Sequence, residues 1–239
     1  MTPASIEMDE MLSSREPRGY GGRFYGAYPA LVLNVVDKDG EGKVQVSLPW
    51  SPDSSGASYS VWARVATMMA GNNQGSWFIP DVGVEVLLIF LGGDPRQPCV
   101  IGALWNGQDA PPQSMDGAGA NNIKKIRSRT GVAITMDDTQ GAQMLKLETP
   151  GGQSITLQDG PGSITIQDSN GNSIKLDPSG ITLDTSSQIS MSASQAQVTA
   201  GLVTVNAGMS QFNGTTNHDT VITNSIVSAS YTPGAGNIW

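Results

Sequence analysis

The chain has 239 residues with 13 Lys and Arg against 21 Asp and Glu, and its net charge of −8 argues against a nucleic-acid-binding surface and favours solubility. Aromatic residues at 6%, charged residues at 14% and 29 glycines describe many turns and few helices. The single cysteine, Cys99, excludes an intrachain disulfide, and no apolar run approaches the roughly 18 residues of a membrane helix.

Residues 1–14 are acidic and hold no apolar core of signal-peptide length, so synthesis and folding in the cytoplasm are expected. Residues 1–26 form a polar, glycine-rich arm, with a short helix over 8–12 stopped near Pro17. Such an arm fits a flexible tail or a docking strap equally.

Residues 27–112 are predicted to form a small closed barrel. The run 28–36 is one strand, Asp37-Lys38-Asp39-Gly40-Glu41-Gly42 its turn, and 43–48 the alternating return strand. A third strand covers 60–66, and 75–91 supplies two more, broken at Pro80 and Gly83. A last strand spans 100–105, with Cys99 at its start as a buried small apolar residue and not a nucleophile. Five or six short strands in this length fit a barrel of the OB type.

Residues 113–130 read as a linker or neck. Its basic cluster, Lys124, Lys125, Arg127 and Arg129, lacks interleaved aromatics and is expected to be solvated, with ion pairs to the barrel.

Residues 131–207 hold a strand repeat. The apolar pairs are Ile134/Met136, Leu145/Leu147, Ile155/Leu157, Ile164/Ile166, Ile174/Leu176, Ile181/Leu183, Ile189/Met191 and Val203/Val205. Ala196/Val198 is a weaker pair in the last, longer gap. A spacing of two puts both side chains of a pair on one face of a strand. Gaps such as Asp168-Ser169-Asn170-Gly171-Asn172 are turn chemistry. The repeat is too short for a single-chain solenoid, whose coils need about 20 or more residues. Three chains around one axis would solve the burial problem, each giving one strand per layer, with apolar pairs inward and edges paired between chains. The expected architecture is all-β: an OB barrel followed by an intertwined trimeric triangular β-helix, or β-prism. Its trimer core is expected at Ile155, Leu157, Ile164, Ile166, Ile174, Leu176, Ile181 and Leu183.

Two blocks carry a family resemblance. The run Phe78-Ile79-Pro80-Asp81-Val82-Gly83-Val84-Glu85-Val86, followed by Val100-Ile101-Gly102-Ala103-Leu104-Trp105-Asn106-Gly107, resembles the OB domain of contractile-tail spike proteins. That family spans phage baseplate assembly protein V, T4-type tail spikes and type VI secretion spikes. The neck, from Lys124 to Gly131, and the strand repeats resemble its neck and needle, and residues 219–239 its C-terminal tip. The resemblance implies a homotrimeric central spike that docks on a separate trimeric hub or baseplate protein and makes transient contact with the target cell envelope. It also implies assembly into the baseplate of a virion or injection particle. No room for the hub domain of type VI spikes precedes Tyr28, and only residues 108–122 stand where T4-type spikes carry a lysozyme domain, so a short form is expected.

The tip, residues 208–239, holds the remaining candidates. His218 is the only histidine. Some spike tips hold iron on the three-fold axis through a His-x-His pair from each chain, but Thr216 and Thr220 flank His218 here at two residues' distance. Three imidazoles are half an octahedral set, so no cofactor is expected and His218 is read as a plain tip residue. Phe212, Tyr231, Ile238 and Trp239 either close the end of the rod by packing back, or offer an apolar platform to a small tip-cap protein or a membrane. The turn carboxylates Asp137, Asp138, Asp159 and Asp168 read as turn stabilisers, and no enzymatic activity is expected. An OB module for oligosaccharide or single-stranded nucleic acid is the alternative. It would use Trp50, Trp62 and Trp77, against the acidic balance of the chain.

Overall fold

The computed structural model describes residues 22–52 and 55–229. Most of the 1–26 arm lies outside them, as do Tyr231, Ile238 and Trp239. The chain divides into two units, Met1–Gln188 and Ile189–Trp239.

The first unit begins with five strands that close a barrel in the order β1-β2-β3-β7-β6. They are β1 (Ala27–Asn34), β2 (Val44–Pro52), β3 (Ser58–Val65), β6 (Glu85–Phe90) and β7 (Pro98–Ala103). All pairings are antiparallel except the closing one, where β3 and β7 run parallel. The interior is filled by alternate residues: Val32, Val44, Val46, Leu48, Ala63, Val86, Leu88 and Val100 are buried. The β1–β2 turn is organised by Asp37, whose carboxylate accepts the N–H groups of Asp39, Glu41 and Lys43 at 3.0, 2.8 and 3.1 Å. These bonds hold its carboxyl below the usual range, the Lys43 N–H contributing most.

Three details differ from the sequence reading. Residues 75–91 give only one barrel strand. Instead β4 (Ala70–Gly71) and β5 (Gln74–Gly75) make a tiny hairpin around Asn73, and 76–84 is irregular. The arm boundary is crossed by Phe24, which is buried and packs against Tyr28, Trp50 and Phe90 at ring distances of 5.6, 5.5 and 4.9 Å. Surrounding glycines hid this anchor in the sequence. Cys99 is only half-buried, because Val100 takes the inward place on β7 and alternation turns Cys99 outward.

Between barrel and second sheet, residues 104–122 hold no strand. Asp116 gathers the N–H groups of Ala118, Ala120 and Asn121, each at 3.0 Å. Seven strands then form a second sheet in strict sequence order. They are β8 (Ile123–Arg127), β9 (Ala133–Asp137), β10 (Met144–Glu148), β11 (Ser154–Gln158), β12 (Ser163–Gln167), β13 (Ser173–Asp177) and β14 (Gly180–Asp184). Six strand spacings of roughly 4.7 Å give a stack about 28 Å long.

The sheet therefore starts at Ile123, inside the segment expected to be a linker. It also pairs each strand with its sequence neighbour in the same chain, where the repeat had suggested pairing between chains. Five-residue strands joined by tight turns satisfy their backbone groups locally. Asp168, for example, accepts the N–H groups of Asn170 and Asn172 at 2.8 and 2.9 Å, and Gly171 takes a φ of +85° between them.

The second unit is different in kind. Among the described residues, 186–229 contain no strand, and every one of them is exposed. The pairs Ile189/Met191, Ala196/Val198 and Val203/Val205 keep their alternation but are not paired within the chain.

Candidate trimer face and spike ends

Register turns the apolar pairs into two unbroken columns. One runs Ile126, Ile134, Leu147, Ile155, Ile166, Ile174, Leu183, each residue directly opposite the next. The other runs Met136, Leu145, Leu157, Ile164, Leu176, Ile181, with Lys124 opposite Met136 at its barrel end. Every residue expected in the trimer core thus lies in these columns, on one face. A one-residue slip anywhere would scatter them to both faces, so the turns fix the register.

This face is open in the single chain. The column residues from β10 to β12, with Ile174, are each 37–43% exposed, and Leu183 and Ile181 rise to 56% and 72% on β14. Thirteen such side chains leave on the order of 1,000 Å² of contiguous apolar surface, above the few hundred that soluble monomers show.

The opposite face is polar. Its central row reads Lys125, Thr135, Lys146, Thr156, Thr165, Lys175, Thr182 across the strands. Glu148 lies between Lys125 and Lys146 at 3.7 and 2.6 Å, and Lys175 meets Asp177 at 2.8 Å. The Lys146 contact, first, lowers the Glu148 carboxyl, and Lys175 does the same for Asp177. The sheet has one polar face, on which Thr135 is buried, and one apolar face that is the more exposed of the two in the single chain.

The basic neck is split by the same alternation. Lys125 and Arg127 fall on the polar face and Lys124 on the apolar one, with Lys124 Nζ 3.6 Å from Asp138. Arg129, in the β8–β9 turn, reaches back to the barrel and donates to Asp81 at 3.0 Å. This is the expected ion pair to the barrel.

Other candidates do not converge. Trp50 stacks on Tyr28 at 4.7 Å and donates its indole N–H to the Pro29 carbonyl at 2.7 Å, which is a packing role. Trp62 lies opposite Gln45 on β3, and Trp77 lies outside the barrel strands beside Gly42. The three tryptophans that the binding-module alternative needs stand in three separate settings. Phe212 and His218 are exposed in the second unit. Among the described residues, no three His, Cys, Asp or Glu side chains gather where they could hold one ion, and no helix is long and apolar enough to cross a membrane.

Comparison with known proteins agrees with both halves of this geometry. Residues 28–105 match the type VI secretion system/phage-baseplate injector OB domain, and residues 143–209 match the phage baseplate V C-terminal trimerisation domain. The second match covers β10 to β14 and runs into the unpaired segment. The chain is 33% identical over 128 residues to the type VI secretion system spike protein VgrG1b of Pseudomonas aeruginosa, covering 51% of this chain and 17% of that protein. It is 30% identical over 128 residues to the spike protein VgrG3 of Vibrio cholerae, covering 49% of this chain and 13% of the relative. With VgrG5 of Pseudomonas aeruginosa the identity is 31% over 153 residues, covering 60% and 19%. The chain thus spans under a fifth of the length of these relatives. The chain carries, in order, an OB barrel that matches the type VI secretion system/phage-baseplate injector OB domain and a sheet with one open apolar face that matches the phage baseplate V C-terminal trimerisation domain.

Proposed function

We propose that three copies of this chain form the central spike of the baseplate of a phage tail or a phage-like contractile injection system. The observation that carries this reading is the pair of apolar columns, one over seven strands and the other over six, open along one face. Three such faces turned inward make a three-sided prism with a dry core. At about 25 cal/mol per Å², burying on the order of 1,000 Å² per chain contributes roughly 25 kcal/mol before the costs of association and ordering. That is ample to hold a trimer.

Beyond β14 the unpaired segment continues the prism as an intertwined β-helix, its strands pairing between chains. The barrels dock on a separate trimeric hub. The distal tip, around Phe212, Tyr231, Ile238 and Trp239, meets the target envelope or a small cap protein. His218 is part of that tip surface, and the spike works by shape and stiffness with no cofactor and no enzymatic step. The spike is made in the cytoplasm and carried outward as part of the assembled particle.

Native mass by light scattering tests the trimer. The full chain, 25.0 kDa, should run at three times its own mass, and a chain ending before Ile123 should be a monomer. A monomeric full chain would overturn the spike reading. Electron microscopy of injection particles labelled at the C-terminus tests the role: the label should mark the distal point of the baseplate.

A further inference from the structure

The barrel carries an apolar band on its outside. β1, β6 and β7 are neighbours, and their inward residues Ala30, Val32, Val86, Leu88 and Val100 are buried. The alternate residues, which face out, are mostly apolar too: Leu31 on β1, Leu87 and Ile89 on β6, Cys99 and Ile101 on β7, with Glu85 at the edge of the band opposite Leu31. Ile89 lies opposite Cys99, and Pro29 opposite Leu87. Leu31 and Ile101 are 39% and 45% exposed. An antiparallel sheet with one wet face normally alternates apolar with polar. The outer side of β2 and β3 does so, with Gln45, Ser60 and Arg64 around Trp62. The band on β1, β6 and β7 breaks that rule, as strands covered on both faces do.

We propose that the band is covered by the barrel of a second copy of this chain within the trimer. This rests on the trimer reading above. The trimerisation domain brings three copies together, and the Arg129–Asp81 pair ties each barrel to the first turn of its own sheet. Tethered barrels meet at an effective concentration near the millimolar range. A patch of a few hundred Å² is below what free partners need, yet it suffices for partners already joined. A three-fold contact is heterologous, so the band meets a different patch on the next barrel. The same barrel offers one, since Met68, Trp77 and Phe78 are 89%, 76% and 66% exposed.

Cys99 sits inside the band and is the only thiol, so it reports directly. The experiment follows its reaction with an aromatic disulfide reagent in the purified full chain, with mass measured in parallel. In the wild-type trimer Cys99 should react at least tenfold more slowly than in Leu31→Lys, a surface change two strands away that leaves the needle and the trimer mass intact. In the monomer made by Ile164→Asp, with the barrel still folded by tryptophan fluorescence, it should also react fast. Equal rates in the wild-type and Leu31→Lys trimers would overturn the proposal, and fast reaction in both would leave the hub as the band's cover. Protection that persists in the monomer would overturn it too, since the cover would then come from the chain's own residues. A wild-type monomer would instead remove the trimer reading itself.

Discussion

Ile164→Asp tests the trimer face at its middle. Ile164 lies opposite Leu157 on one side and Leu176 on the other, and it is 39% exposed in the single chain. That exposure is about 75 Å² per chain, so its burial contributes roughly 2 kcal/mol per chain at 25 cal/mol per Å². The substitution removes that term three times and brings three carboxylates together in a dry core. Each buried charge costs several kcal/mol unless it takes up a proton, so the total is on the order of 15 kcal/mol per trimer. At neutral pH the light-scattering mass should fall from the trimer to the monomer. The strand itself should survive, because in one chain this face is open to water. Burial raises a carboxyl pKa, so protonation favours the trimer, and lowering the pH toward 4 should partly restore it. Ile164→Asn, with no charge, should keep a weakened trimer at neutral pH. Thr165→Asp, one residue on and on the polar face, should keep a full one. If Ile164→Asp remains trimeric at pH 7 with unchanged thermal stability, the columns are not the trimer core.

Acid should loosen the turns before the core. Asp94 is held down to about 2 by its Arg96 contact, and Asp37, Asp116, Asp137 and Asp168 are all lowered by hydrogen bonds to their turns. A lowered folded-state pKa gives stability that is present above the ordinary carboxylate range and lost as pH falls through the folded value. Thermal melts should therefore be flat from pH 7 to about 4.5 and fall steeply toward pH 2, and a flat profile throughout would contradict these bonds. Gly160→Ala should cost about 1–3 kcal/mol, because a Cβ there would lie 2.5 Å from the Gly141 carbonyl in the adjacent turn, and the loss should appear in chemical denaturation of the sheet. Arg129→Ala removes an exposed ion pair, so global stability should move by less than about 1 kcal/mol. Amide exchange in residues 76–84 should nonetheless quicken as the barrel is released from the sheet.

The face could be read from the sequence because its signal is local. Two apolar residues spaced by two, followed by Asp, Asn and Gly, specify both a strand side and a turn, and Ile155 to Leu183 follow this rule. What one strand cannot say is who its neighbour is. The same pattern serves a strand paired within its chain and a strand paired with another, and the chain does the former from Ile123 to Asp184. β8 escaped notice because Lys124, Lys125 and Arg127 hide a single face residue, Ile126, whose only clue is that it stands opposite Ile134. Phe24 was hidden for a related reason: a lone aromatic among glycines has no period, and only the ring cluster with Tyr28, Trp50 and Phe90 shows it as an anchor. The first of the two strands expected within 75–91, before the break at Pro80, is absent: β5 ends at Gly75 and 76–84 is irregular, with Pro80 giving no N–H to a ladder. Composition alone could not tell the outward apolar residues of β6 from its inward ones, since both sets are aliphatic.

The sequential order of the second sheet gives the needle a direction. Its hydrogen bonds run from strand to strand, so they line up along the stack from β8, beside the barrel, to β14. A push from the barrel end presses each rung onto the next, and the column fails only by bending, which three such walls back to back, as proposed for the trimer, would resist. A pull on the β14 end opens one rung at a time, since each strand holds only its neighbours. The same ladder that bears a push along the stack would peel like a zipper when drawn backwards.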